Sequence, residues 1–395
     1  MLLMLFIGID VSKSKHNCYL VDSEGTVYEN NLQIQNDING FKILSQKITS
    51  ICQAQNHKKV KIGLESTGHY SINITNYLYS EGFEVILFNP IITNNNRKSN
   101  TLRKTKTDKT DAKVIATMLF TDDSKSYSPI SYQIIELKSL TRHRHRMVSQ
   151  RSKFKLSFTR LVTIVFPELP EHVYSIHQKS SEALLLELPT AKDISNCHLT
   201  KLTNLLKKNS RGKYSREKAI ELKNLAAESI GSSNRATAFE LKQTIKFIQF
   251  FDSEIKIIDQ KIKELMDEIN TPVITIPGIG YTLAATIISE IGDINRFAKP
   301  SKLVAFAGLD PSVYQSGKYN ATHTMMVKRG SKYLRWSILQ AVKTVAMRDK
   351  TFKDYLNKKL SEGKHYFVAL SHVGKKLIRV IFHLLKNNIS FVPQA

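Results

Sequence analysis

Residues 3–9 form an unbroken apolar run, the pattern of a central strand covered on both faces. Residues 17–21 and 26–33 read as two further strands, parted by the turn-forming Asp22-Ser23-Glu24-Gly25. Phe41, Leu44 and Ile48 fall at helical spacing, Val60, Ile62 and Leu64 alternate as a strand, residues 72–79 read as a helix, and residues 84–88 as an apolar strand closed by Asn89-Pro90. With a helix starting near residue 108, this is three strands, then helix, strand, helix, strand, helix. It predicts an α/β domain on a mixed sheet over residues 1–125.

The pattern then changes. Leu137, Leu140, Met147, Phe154, Phe158, Leu161 and Val165 keep a helical stripe that Pro167 stops. Leu241, Ile245, Ile248, Phe251, Ile255, Ile258, Ile262, Leu265 and Ile269 step by three and four, a coiled-coil-like seam that calls for a partner helix in this chain or another subunit. Residues 126–270 are therefore expected to be a helical, coiled-coil middle region, although the polar stretch 170–235 offers no clear elements. From Thr271-Pro272 onward, residues 271–395 predict a mostly α domain with two helical stretches near its end. Its Ile276-Pro277-Gly278-Ile279-Gly280 precedes an apolar helix at 283–291 and resembles a helix-hairpin-helix loop, where backbone N–H groups can grip a phosphate; an ordinary glycine-rich turn fits the same letters.

Charge narrows the function. With 58 Lys and Arg against 34 Asp and Glu, the chain carries a net +24, which points to polyanionic partners, nucleic acid before an anionic membrane surface. No apolar run is long enough to span a bilayer. The apolar opening lacks a basic flank and a cleavage site, and reads as a strand rather than a signal peptide. Three scattered cysteines, Cys18, Cys52 and Cys197, argue against a disulfide framework or a cysteine-based zinc site, so a reducing cytoplasm is expected. Between residues 96 and 160, 16 Lys and Arg face 5 Asp and Glu, and Arg142-His143-Arg144-His145-Arg146 circles its helix too fully to be one solvated face. Phosphate contacts are expected at Arg103, Lys104, Lys106, Arg142, Arg144, Arg146 and Arg151, with binding that weakens steeply in salt. His143 and His145, two residues apart, diverge on a helix and do not suggest zinc.

Four acids carry candidate chemistry. Asp10 and Glu65 each end a buried strand, where an unpaired charge is costly. Asp108 and Asp111, three residues apart, share a helix face. Strand-end acids joined by two helical ones could hold a pair of Mg²⁺ or Mn²⁺ ions roughly 3.5–4 Å apart, as phosphodiester transfer requires. A turn residue at each strand end and an N-cap at Asp108 account for the same letters.

The segments Gly8-Ile9-Asp10-Val11-Ser12-Lys13, Glu65-Ser66-Thr67-Gly68 and Asp108-Lys109-Thr110-Asp111-Ala112 resemble those of the DEDD transposases of the insertion sequence 110 family and the related Piv-type DNA invertases. The resemblance implies an RNase H-like (RuvC-type) N-terminal domain in which Asp10, Glu65, Asp108 and Asp111 bind the metals. It continues from Pro277 to Arg335 through Phe306-Ala307-Gly308-Leu309-Asp310-Pro311 and Tyr314-Gln315-Ser316-Gly317-Lys318, and implies a C-terminal transposase domain with Ser316 as nucleophile. Lys328, Arg329, Lys332 and Arg335 follow as nucleic-acid contacts. It further implies a composite site, DNA partners at the element junction and target, an element-encoded noncoding guide RNA, and a homodimer assembling to a tetramer in the bacterial cytoplasm, at the nucleoid. Rival readings are a RuvC-like structure-selective endonuclease that uses the acids alone, a Piv-type invertase, and a non-catalytic nucleic-acid-binding protein.

Overall fold

The computed structural model describes residues 4–65, 70–88, 93, 108–121, 132–312, 315–316, 319–320 and 325–393. Packing divides the chain into two compact units, Met1–Pro129 and Ile130–Ala395.

The first unit has the order that the hydrophobic pattern predicts: β1 (Met4–Val11), β2 (Lys15–Asp22), β3 (Val27–Gln35), α1 (Ile38–Gln55), β4 (Lys59–Glu65), α2 (Ser71–Ser80), β5 (Glu84–Phe88) and α3 (Asp108–Thr121). The five strands form one mixed sheet in the order β3-β2-β1-β4-β5. β1 runs antiparallel to β2 and parallel to β4. Alternation along β1 sends Leu5, Ile7 and Ile9 to one face, against Phe41, Leu44 and Ile48 of α1 and Ile74 and Leu78 of α2. Phe6 goes to the other face, against Ile115, Ala116 and Leu119 of α3. Each such fully buried aliphatic side chain contributes about 2 kcal/mol relative to exposure. The start of α1 is fixed by Asp37, whose carboxylate accepts from the Gly40 amide at 2.8 Å. Its end is fixed by Asn56 in the left-handed region, at φ 54°.

The second unit is mostly helical. Its frame is α4 (Tyr132–Val165) lying antiparallel on α10 (Arg235–Ile269). The partner helix that the 241–269 seam calls for is therefore in the same chain. Arg144 pairs with Asp259, Arg151 with Asp252 and Arg160 with Glu240, so two of the pairs stand seven residues apart on both helices. The polar stretch between them, left unassigned by the pattern, folds as α5 (Leu169–His172), α6 (Lys179–Glu187), α7 (Ala191–Asn196), α8 (Leu199–Asn209) and α9 (Arg216–Ala227). These helices close a core with Leu161, Val165, Leu241 and Ile245. Most are too short to show a sustained period; caps set their limits instead, as in the reciprocal Thr190–Asp193 capping box of α7.

The remainder holds α11 (Tyr281–Ile291), α12 (Pro300–Ala307), the two-residue strands β6 (Gln315–Ser316) and β7 (Tyr319–Asn320), α13 (Lys332–Arg348), α14 (Lys350–Ser361) and α15 (Tyr366–Asn387). Three helices stand at the end where the pattern predicted two. Asp349 makes the break, since its extended backbone ends α13 and its side chain accepts from the Phe352 amide at the start of α14. Gly278, in the predicted phosphate-gripping loop, has φ 95° and faces the backbone of Thr344, where a Cβ would approach to 2.7 Å. The Thr344 hydroxyl donates to its carbonyl at 2.7 Å. Close packing on α13 is thus sufficient reason for this glycine. Among the described residues, no helix is long and apolar enough to cross a membrane.

One buried acid makes the second unit sensitive to pH. Burial pushes the Glu182 carboxyl up to about 7; Asp252 adds to the rise, while Lys155 and Lys179 oppose it. A carboxyl that titrates higher when folded than when unfolded favours the folded state at low pH. That advantage is lost as pH rises from the ordinary carboxylate range through about 7. Glu182→Gln should therefore match the wild type near pH 5 and exceed it at pH 8, by up to about 2 kcal/mol. Denaturant unfolding of both proteins at the two pH values checks this; a Gln variant with no gain at pH 8 would refute it.

Candidate functional site

Register brings the two strand-end acids side by side. β1 and β4 are parallel and paired up to Ile9 with Leu64, so Asp10 and Glu65 are the next residues along neighbouring strands. Counting alternate positions, Asp10 shares a face with Phe6 and Gly8, and Glu65 shares it with Gly63. Both acids are half-buried.

α3 crosses this face. The Phe120 ring lies 4.3 Å from that of Phe6. Ala116 and Ala112 lie over Gly8, where an added Cβ would come to 2.1 Å from the Ala112 carbonyl oxygen. Gly63 is covered instead by side chains, those of Phe88, Ile115 and Leu119. The helix thus runs opposite to β1, with its last turn over the start of the strand and its first turn at the end that carries Asp10. That first turn contains Asp108 and Asp111. Asp111 is only 9 % exposed; the side chain of Asp108 lies outside the described residues. Two bare glycines let the helix settle against the backbone, which draws its acidic end down to the sheet.

Asn17 was not singled out in the sequence. It stands directly across from Asp10 in β2 and belongs to the same face. It is 1 % exposed, and among the described residues neither its side-chain nitrogen nor its oxygen has a hydrogen-bond partner. A buried primary amide without partners costs on the order of 1–3 kcal/mol, which gives such a group a strong preference for any ligand or carboxylate that can engage it. Its signal in the sequence is slight: a polar residue in register with Asp10, visible once the hairpin pairing is known.

Among the described residues, the carboxylates of Asp10, Glu65 and Asp111 and the Asn17 amide oxygen belong to this end, donors whose chemistry fits a hard divalent cation. Among the described residues there is no group of three or more His, Cys, Asp or Glu side chains close enough to hold a metal ion; the Asp108 carboxylate is not one of those residues. His69, Ser66, Thr67 and Gly68, along with Arg103, Lys104 and Lys106, also lie outside them.

In the second unit, Ser316 occupies β6 and pairs with Tyr319 of β7. On either side of it in the chain, the Ser312 amide donates to the Met325 carbonyl at 2.7 Å and the Val327 amide to the Asp310 carbonyl at 3.0 Å. The Ser316 side chain is outside the described residues.

The arginines expected at phosphates divide into two groups. Arg142 makes a two-pronged pair with Glu290 at 2.6 and 3.0 Å, Arg144 does the same with Asp259, and Arg151 pairs with Asp252. Arg335 donates to the carbonyls of Ala307 and Lys328 at 3.3 and 3.0 Å. Arg146, Lys328, Arg329 and Lys332 are exposed. Glu290 is 1 % exposed and also accepts from the Ser331 hydroxyl at 2.7 Å. Burial alone would push its carboxyl up, but the hydrogen bonds from Arg142 and Ser331 and the charges of Lys138 and Arg142 hold it below the usual range.

Two family models match the chain. The model of the DEDD transposases of the IS110 type matches residues 7–167, and that of the IS116/IS110/IS902 transposase family matches residues 270–357. The chain is 24 % identical to an uncharacterized 44.8 kDa protein of insertion element IS116 from Streptomyces clavuligerus, over 98 % of this chain and 96 % of the relative. It is 22 % identical to the pilin gene-inverting protein of Moraxella bovis, over 98 % and 97 %. It is 28 % identical to the transposase of insertion sequence element IS1111A from Coxiella burnetii, over 41 % and 45 %.

Proposed function

The chain belongs to the IS110 family of transposases and is a DNA-cleaving and rejoining enzyme, and from that premise we propose that it acts through divalent metals held by Asp10, Glu65, Asp108 and Asp111 together with Ser316 as nucleophile. The observation that carries this reading is the meeting of Asp10, Glu65 and the first turn of α3 at one end of one sheet face. On this reading the first part, residues 1–125, is an RNase H-like domain of RuvC type; residues 126–270 form the helical connection; residues 271–395 form the transposase domain that carries the serine.

The chemistry follows from the residue types. Mg²⁺ or Mn²⁺, two per site, would neutralise charge building on the phosphate oxygens. The four carboxylates would hold those ions, and the Asn17 amide would orient the Asp10 carboxylate beside it. The Ser316 Oγ attacks the scissile phosphorus. A phosphoserine ester forms as the phosphorus–oxygen bond to the leaving strand breaks, and the hydroxyl proton passes to the leaving oxygen. A hydroxyl of another strand then attacks the ester, restoring a phosphodiester and returning the proton to Ser316. The ester keeps the bond energy, so resealing needs no nucleotide. The acids and the serine come from different units of the chain, and pairing them between subunits of a dimer or tetramer would restrict cutting to the assembled synapse.

The net charge suits DNA together with a structured guide RNA encoded by the element, in the bacterial cytoplasm at the nucleoid. The likeness over nearly full length to a pilin gene-inverting protein favours inversion as a second reading with the same chemistry at two sites in one DNA molecule.

A covalent trap tests the reading. The protein is incubated with Mg²⁺, element-end DNA and RNA transcribed from the flanking region, then run on a denaturing gel. A protein–DNA adduct is expected, reduced at least about a hundredfold in both Ser316→Ala and Asp10→Ala. Cleavage without an adduct, unchanged in Ser316→Ala, would replace the serine mechanism with that of a nuclease that uses the acids alone.

A further inference from the structure

The second unit contains a cavity of about 260 Å³ between α4, α11 and α13 that plays no part in the chemistry above. Its wall carries three rings. His145 stands edge-on to Tyr333, with centroids 5.1 Å apart at 89°, and to Trp336, at 5.3 Å and 77°. Arg142 and Arg144 also line it, each held by a carboxylate, Glu290 and Asp259 respectively. Burial, aided by the charges of Lys332 and Arg144, pushes the His145 imidazole below its ordinary value. It is therefore neutral at neutral pH, with one nitrogen donating and one accepting.

These details select a class of guest. Because both arginines are already matched by acids, the cavity suits a flat, uncharged group better than a phosphate. The two faces of the wall differ as well. Tyr333 has Arg142 at 4.9 Å and Lys332 at 5.1 Å from its ring, whereas Trp336, 36 % exposed, has no cation over it among the described residues. Exposed cations stand nearby on the same two helices, Arg146 on α4 and Lys332 on α13, where a sugar-phosphate chain could pass. An aromatic platform, a neutral donor–acceptor pair and flanking positive charge are the parts that hold a base turned out of a strand.

We propose that this cavity takes one unstacked nucleobase of a single-stranded nucleic acid, stacked on Trp336 and engaged by His145. The proposal rests on the reading that the chain works on nucleic acid, and adds to it a site that recognises a base.

Trp336 is the only tryptophan of the chain, so its fluorescence reports on this cavity alone. Full-length protein is titrated with oligo(U), oligo(dT) and a blunt DNA duplex. Binding is followed by the anisotropy of a labelled strand, and occupancy by tryptophan emission with unlabelled strands. Single strands should quench Trp336 and the duplex should not. Quenching by oligo(U) alone assigns the base to RNA, and by oligo(dT) alone to DNA. Trp336→Ala should weaken single-strand binding about tenfold or more and leave duplex binding unchanged, and Trp336→Phe should restore most of it. Binding by anisotropy with unchanged emission, and no effect of Trp336→Ala, overturns the base site while the nucleic-acid reading stands. If no oligonucleotide binds, both fall.

Discussion

Alanine at position 8 should cost the protein its acidic site although it removes no functional group. The added Cβ would lie 2.1 Å from the Ala112 carbonyl oxygen and 2.4 Å from the Ala116 nitrogen, both backbone atoms of α3. Backbone cannot swing aside as a side chain can, so the helix must lift from the sheet. Overpacking a core commonly costs 1–3 kcal/mol, and displacement of a helix backbone belongs at or above about 3 kcal/mol. The same lift moves Asp111 away from Asp10, so adduct formation should fall at least about a hundredfold even where the protein stays folded. Gly82→Ala is the control. Gly82, unlike Gly8, has a positive φ, 85°, and a Cβ there meets nothing within 4 Å. It should cost about 1 kcal/mol and leave activity intact. Thermal unfolding and the adduct assay read the two variants together. A Gly8→Ala protein with wild-type melting and activity would mean that α3 does not rest on β1 as described.

Removal of the Glu290 carboxylate should destabilise the second unit by about 3–5 kcal/mol. The group is buried, and Arg142, Lys138 and the Ser331 hydroxyl depend on it. Glu290→Ala leaves the positive charges of Arg142, Lys138 and Arg296 without the buried acid they share. Glu290→Gln keeps the shape but not the charge, and should recover only part of the loss. Because the carboxyl titrates below its unfolded value, its contribution is complete above the usual carboxylate range and is lost as pH falls through the folded value. The difference between wild type and Glu290→Ala, followed by denaturant unfolding, should therefore be large at pH 7 and shrink in acid. An equal difference at both would show that packing, not charge, accounts for it.

Much of the first unit was legible because its strands are apolar runs or alternations and its helices show clean spacing; the order of its first seven named elements follows from that, and the helix at 108 from the spacing of its two acids. Asp10 and Glu65 stood out because a charge at the end of a buried strand is physically conspicuous. Asn17 did not, since a polar residue in a strand ordinarily faces water, and only the register reveals that it faces Asp10. Glu290 was hidden for a different reason. It is one acid in an apolar helix, and its partner Arg142 is 148 residues away. For the same reason Arg142, Arg144 and Arg151 read as a phosphate-seeking cluster: helical periodicity shows which face a charge occupies, but not the acid that a distant helix brings to it. The short helices between residues 169 and 227 give too few turns for a period to emerge.

The ion pairs between α4 and α10 have a consequence for how this protein can vary. Arginines occupy one helix and acids the other, with Arg144 and Arg151 matching Asp259 and Asp252 in steps of seven. Two copies of α4 would repel each other, so the pair is biased against swapping like for like. The two helices also join separate cores, one around Leu241 and Ile245 and one around Ile258, Ile262 and Met266. They act as a strut on which the Arg144–Asp259 and Arg151–Asp252 pairs mark off one heptad, about 10 Å. An insertion or deletion in one helix alone puts arginine against turns that lack its acid and aliphatic residues out of step. A change in the distance between the two cores therefore calls for matched changes in both helices.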